Sequence, residues 1–218
     1  EEAKPDAELI CCDTLGKNRY SDGFLIHNEK INQLVIKKVK EGKKVIRLKN
    51  GDSGIFSRLS QELEPLIKER IDFEIVPGVA AASAASAFSG IPLTDRRFAS
   101  SCIFVTGHED PTKKESSIDW EAIAKNGTIV LYMAVENLSK IIKNLVNAGK
   151  SFKTPVAIIQ DASLLTQKVL TGTLRDIVAK AKSQRMKPPA IIIIGEAVKL
   201  EKDFNWLKKN KRILFTGL

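Results

Sequence analysis

Within this 218-residue chain, the residues best placed to do chemistry sit in Lys49-Asn50-Gly51-Asp52-Ser53-Gly54-Ile55-Phe56-Ser57-Arg58. Gly51 and Gly54 permit close backbone approach and positive φ, Asp52 or Ser53 can cap a helix, and the N–H groups of a first helical turn face outward to a ligand. Other chemistry is thinly represented. The loop is neither G-x-G-x-x-G nor G-x-x-x-x-G-K-[ST], no Ser-His-Asp order is evident, and no cluster of metal ligands appears. Two histidines, His27 and His108, and three cysteines without C-x-x-C spacing argue against structural zinc. Cys11 and Cys12 are adjacent and would point to opposite faces of a strand, so no disulfide framework is expected and a reduced, cytoplasmic compartment fits best.

The elements that must position this stretch follow from periodicity. Val45-Ile46-Arg47-Leu48 reads as a strand leading in, and Ile55, Phe56, Leu59, Leu63, Leu66 and Ile67 form a helical stripe leading out. Strand, tight loop and helix start are therefore expected where α/β proteins bind ligands. Upstream, Glu8 to Cys12 reads as a strand, Asp13 to His27 as a loop carrying Lys17, and Asn28 as the cap of a helix ended by Gly42. Downstream, Ile71 to Val76 reads as a strand closed by Pro77-Gly78, followed by a small-residue helix over Val79 to Phe88.

Gly90-Ile91-Pro92-Leu93-Thr94 breaks the pattern, and the alternation then resumes. Strands are expected at Cys102–Thr106, Thr128–Met133, Pro155–Gln160, Gln167–Gly172 and Ala190–Ile194. Helices are expected around Trp120, over Glu136–Ala148 and over Leu174–Gln184. The pattern predicts an α/β fold of two lobes with parallel or mixed sheets, divided into residues 1–96, residues 97–208, and a short tail or further segment at 209–218.

Thirty-five Lys and Arg against twenty-six Asp and Glu give a formal charge of +9, which suits an anionic partner: nucleic acid, a membrane surface or a polycarboxylate. No apolar run approaches the roughly 20 residues of a membrane-spanning helix, so no membrane partner is expected. With 6% aromatic residues and no basic-aromatic platform, nucleic acid is not the expected partner either. The chain begins at Glu1 rather than Met, and a further N-terminal piece is expected to precede it.

Ordered blocks carry a more specific signal. Leu48 to Arg58, Glu74-Ile-Val-Pro-Gly-Val79, Ala84 to Thr94, Val105-Thr-Gly-His108, Leu131-Tyr-Met133 and Thr171-Gly-Thr173 resemble, in register, the tetrapyrrole methylase family. The resemblance implies S-adenosylmethionine bound between two α/β domains of a homodimer. Val105-Thr-Gly-His108 and Leu15-Gly-Lys17 point to members that methylate two ring carbons of uroporphyrinogen III, giving precorrin-2 for siroheme or cobalamin and leaving S-adenosylhomocysteine. Methylation of a later corrin precursor such as precorrin-4, a cofactor-binding module without catalysis, and a ribosomal-RNA methylase of the same fold are the alternatives.

By the resemblance, cofactor contacts fall on Asn50, Gly51, Asp52, Ile55, Ala80, Ala81, Met133 and Ala162. Substrate contacts fall on Arg58 and Arg96, whose guanidinium forks suit carboxylates, and on Gln61, and Lys17 is the implied proton donor. Competing readings make Ala80 and Ala81 helix packing, Met133 a core residue, and Arg58 an i,i+4 partner of Glu62. Gln61 stands in place of a family Glu and cannot act as a base. Asp95 stands in place of the family's His before Arg96, which puts a negative charge where carboxylates should dock.

Overall fold

The computed structural model describes residues 3–11, 23–108 and 117–209. The chain divides into two compact units, Glu1–Gly78 and Val79–Leu218.

The second unit is built on a five-stranded mixed sheet. Its strands are β1 (Cys102–Thr106), β2 (Thr128–Tyr132), β3 (Pro155–Gln160), β4 (Lys168–Thr173) and β5 (Ala190–Ile194), in the order β1-β2-β5-β3-β4. β1 and β2 are parallel, and β5 runs antiparallel to both β2 and β3. The C-terminal ends of β1, β2 and β3 therefore share one edge of the sheet. Alternate residues Ile129, Leu131, Val156, Ile158, Ile192 and Ile194 join one core cluster. Val130, Ala157, Ile159 and Ile193, one step out of phase, are also fully buried. Both faces are thus covered, which is why these strands read as continuous apolar runs rather than as alternation.

Three helices fill the cluster on the first face: α4 (Trp120–Ala124), α5 (Leu138–Asn147) and α6 (Ile177–Ser183). The small-residue helix α3 (Ala81–Ser89) buries Ala82, Ala85 and Ser89. It is tied at its end by Gln167 Nε2 and Trp206 Nε1, which donate to the Phe88 and Ala87 carbonyls at 3.0 and 2.8 Å. A 3-10 turn (Glu196–Leu200), α7 (Glu201–Phe204) and α8 (Trp206–Lys209) complete the unit.

The first unit has α1 (Gly23–Lys40) and α2 (Leu59–Lys68). Pro65 lies inside α2 and has no N–H to give the Gln61 carbonyl one turn earlier. Asn32 Nδ2 of α1 supplies that bond at 2.9 Å, which docks the two helices at the point where proline leaves an acceptor open.

Here α1 starts at Gly23, so Asn28 lies inside the helix rather than capping it, and two further sequence expectations need correction. None of the segments 8–11, 45–48 and 71–76 is in a strand ladder among the described residues. An apolar run shows that a segment favours burial, but it becomes a strand only where a neighbour supplies paired N–H and C=O groups. Accordingly Ile46, Leu48 and Val76 stay exposed, at 74%, 81% and 76%. The second correction concerns α2, which begins at Leu59, so Ile55 and Phe56 belong to the preceding loop. The tail or further segment expected at 209–218 lies, beyond Lys209, outside the described residues.

Candidate functional site

In the first unit the loop between Lys49 and Arg58 is held by its own polar groups. Asp52 does not cap α2. Its Oδ1 accepts the Gly54 N–H at 2.8 Å and its Oδ2 accepts the Gly78 N–H at 3.0 Å, joining the loop to the Pro77-Gly78 turn. Those N–H groups, Gly78's first and Gly54's second, hold the carboxyl below the usual carboxylate range. Lys49 Nζ donates to the Ser57 carbonyl at 2.5 Å and pairs with Glu62 at 2.9 Å, while Ser57 Oγ donates to the Ser53 carbonyl.

Gly51 takes φ 73°, and a side chain on Gly78 would put its Cβ 2.3 Å from the Gly51 carbonyl oxygen. The glycine at position 78 is thus required by close approach to Gly51, with Asp52 as the clasp. Neither feature of position 78 was assigned from sequence, although the Pro-Gly pair marks the turn. Phe56 and Arg58 are left-handed at φ 49° and 59°, and Arg58 occupies the position before α2. The Glu62 carboxylate, which a competing reading paired with Arg58, takes Lys49 and Arg47 at 2.9 and 3.3 Å. Gln61 has an exposed side chain and a carbonyl engaged by Asn32.

In the second unit the expected contacts gather at the edge formed by the ends of β1, β2 and β3. Met133 follows β2, left-handed at φ 51° and 53% exposed, so it is not a core residue. The hydroxyl of its neighbour Tyr132 accepts the Ala82 N–H at 3.0 Å, bringing the start of α3, with Ala80 and Ala81, to the end of β2. Ala82 and Ala85 do the packing; Ala81 is exposed and Ala80 half-buried. The helix-packing reading therefore applies to their neighbours.

Gly107 at the end of β1 lies so close to Ala134 that a Cβ would be 2.4 Å from the Ala134 Cα, and Asn137 Nδ2 donates to its carbonyl at 2.8 Å. Thr106 Oγ1 accepts the His108 N–H at 3.2 Å and donates to the His108 carbonyl at 2.9 Å. Ala162, half-buried, sits beyond β3 between Asp161 and Ser163, both left-handed at φ 51° and 73°. Three non-glycine residues in that sparsely populated region border this one edge, a pattern that stored strain at ligand sites produces.

Arg96 is exposed in the turn after Thr94. Asp95 beside it does not present an uncompensated charge: Arg97 Nε and Nη2 bond its two oxygens at 2.9 Å each. The Arg97 guanidinium, then the Arg97 N–H, bring the Asp95 pKa down to about 2. Lys17 lies outside the described residues. Among the described residues no group of three or more His, Cys, Asp or Glu could hold a metal ion, and no helix is long and apolar enough to cross a membrane.

At the ends of β1, β2 and β3 the small residues Ala81 and Ala162 and the exposed, polarizable Met133 leave a surface on which an apolar or aromatic moiety can lie. Comparison with known proteins extends this chemistry. The profile of the family described as Tetrapyrrole (Corrin/Porphyrin) Methylases matches residues 4–178. A protein of Methanosarcina barkeri called S-adenosyl-L-methionine-dependent uroporphyrinogen III methyltransferase is 42% identical over 196 residues, covering 89% of this chain and 77% of that one. The Uroporphyrinogen-III C-methyltransferase of Methanocaldococcus jannaschii is 43% identical over 197 residues, covering 90% and 79%. Among solved structures, the Uroporphyrin-III C-methyl transferase of Thermus thermophilus complexed with S-adenyl homocysteine superposes with a TM-score of 0.69 at 30% identity, over 79% of this chain and 74% of that chain.

Proposed function

This chain belongs to the tetrapyrrole methylase family, and from that premise we propose that it is the S-adenosylmethionine-dependent uroporphyrinogen-III C-methyltransferase that makes precorrin-2. The observation that carries the reading is identity of 42% across 89% of the chain with a relative whose name states both cofactor and substrate. The site chemistry supports it.

S-adenosylmethionine, whose sulfonium supplies the methyl group, is held by Asn50, Gly51, Asp52, Ile55, Ala80, Ala81, Met133 and Ala162. Asp52 also keeps the loop and the Gly78 turn in one arrangement. Arg58, Gln61 and Arg96 receive the substrate's carboxylates, residues 1–96 forming the tetrapyrrole and cofactor side and 97–208 the cofactor side. Lys17 gives a proton, and the protein works as a cytoplasmic homodimer. An electron-rich pyrrole carbon is itself the nucleophile, so positioning dominates, contributing up to roughly 7–11 kcal/mol in well-oriented cases.

The test is incubation with labelled S-adenosylmethionine and uroporphyrinogen III, counting methyl groups on the product. Two per tetrapyrrole are expected; none sinks the reading. Arg58→Ala and Arg96→Ala should each weaken tetrapyrrole binding in calorimetry while S-adenosylhomocysteine binding is retained.

A further inference from the structure

The turn at Asp95-Arg96-Arg97 sets one acid beside two cations, and its bonds are unequally shared. Asp95 anchors the turn through its carbonyl, which accepts the Phe98 and Ala99 N–H groups at 2.9 and 2.8 Å. Its Oδ1 accepts the Arg97 N–H at 3.0 Å, and its two oxygens take the Arg97 guanidinium side-on. That fork–fork geometry is the strong form of a carboxylate–guanidinium contact. Arg97 is held from a second side as well, its guanidinium lying 5.3 Å over the Phe98 ring. Arg96 is the exposed side chain of the turn's first central position.

We propose that Arg97 is a positioning residue that occupies Asp95 so that Arg96 remains available to a substrate carboxylate. Without Arg97, the acid would keep its N–H bond but expose lone pairs beside Arg96, and would compete intramolecularly for the guanidinium that the substrate needs. The device turns the negative charge at position 95 from an obstacle to anionic substrate into a structural anchor. It rests on the reading of Arg96 as a substrate contact.

Steady-state kinetics of the full chain with uroporphyrinogen III test it. Arg97→Ala should raise KM about two- to fivefold, the range of one exposed charge pair, with kcat little changed. Adding Asp95→Asn, which keeps an oxygen for the Arg97-position N–H while removing the charge, should restore KM. A merely structural loss would not be rescued by that second change. If Arg97→Ala leaves KM unmoved while Arg96→Ala raises it, or if Asp95→Asn restores nothing, the role is overturned. A parent chain with no turnover of uroporphyrinogen III would instead overturn the activity itself.

Discussion

In the unit formed by residues 79–218, the three central strands β2, β5 and β3 are buried on both faces, and Ile158, Ile192, Ile193 and Ile194 have no exposure. In the unit formed by residues 1–78, Ile31 is the one buried apolar side chain among those described, and α2 buries none. What organises that unit's candidate site is a set of polar bonds: Asp52 to Gly54 and Gly78, Lys49 to Ser57 and Glu62, Asn32 to Gln61. Apolar burial is non-directional and insensitive to pH, whereas bonds of this kind are directional and depend on charge state. A rigid platform thus carries Met133 and Ala162, and a loop pinned by a few polar contacts carries Asn50 to Ile55. Substitutions in the two regions should therefore fail in different ways.

The largest effect is expected from Ile192→Ala at the centre of the sheet, which should cost about 2–5 kcal/mol in denaturant unfolding by opening a cavity between β2 and β3. A loss well under that range would mean the sheet is not the stabilising core. Next comes Gly78→Ala, which forces a methyl group against the Gly51 carbonyl. About 1–3 kcal/mol of strain is expected, with S-adenosylhomocysteine affinity in calorimetry falling by more than global stability explains. Unchanged affinity would separate the Asp52 loop from the ligand.

Smallest is the pH dependence. Asp52 and Asp95 both have folded pKa values below the unfolded carboxylate value of about 3.9, so their contribution is full above that pH and is lost as pH falls through the folded values, about 2 for Asp95. The thermal midpoint should therefore decline below about pH 4, and Asp52→Asn together with Asp95→Asn should flatten that decline. An unaltered acid limb in the double variant would assign it to other carboxylates.

How far the fold was legible differs between the units in the same way. Thr128, Pro155 and Ala190 were expected to begin strands and do, because each apolar run is short, bounded by Gly or Pro, and flanked by partners in the same unit. The runs 45–48 and 71–76 carry the same signal without a ladder, since pairing belongs to two segments and periodicity to one. At the candidate site, the glycines of the loop and the small residues after Pro77-Gly78 were readable by type. The Asp52–Gly78 bond spans 26 residues and the Tyr132–Ala82 bond spans 50, distances over which no local pattern informs.

The Asp95–Arg97 contact is the intermediate case. An Asp followed two residues later by Arg is visible in the chain, and Asp at the head of a turn commonly accepts the N–H two residues on. Yet the sequence reading placed an opposing charge there, because charge counted from residue types carries no information on pairing.

By itself the amino-acid sequence determined composition, charge, the apolar strands of the second unit, the small-residue helix, and the ordered motifs that identify the family. These depend on residue type and short-range order, which the chain carries directly. Only the tertiary structure decided that Asp52 clasps Gly78, that Gly78 must lack a side chain, that Met133 is exposed at a sheet edge, and that Glu62 pairs with Lys49 and Arg47. Each of those depends on which distant backbone or side chain arrives within a few ångströms, a range outside which hydrogen bonds are not made.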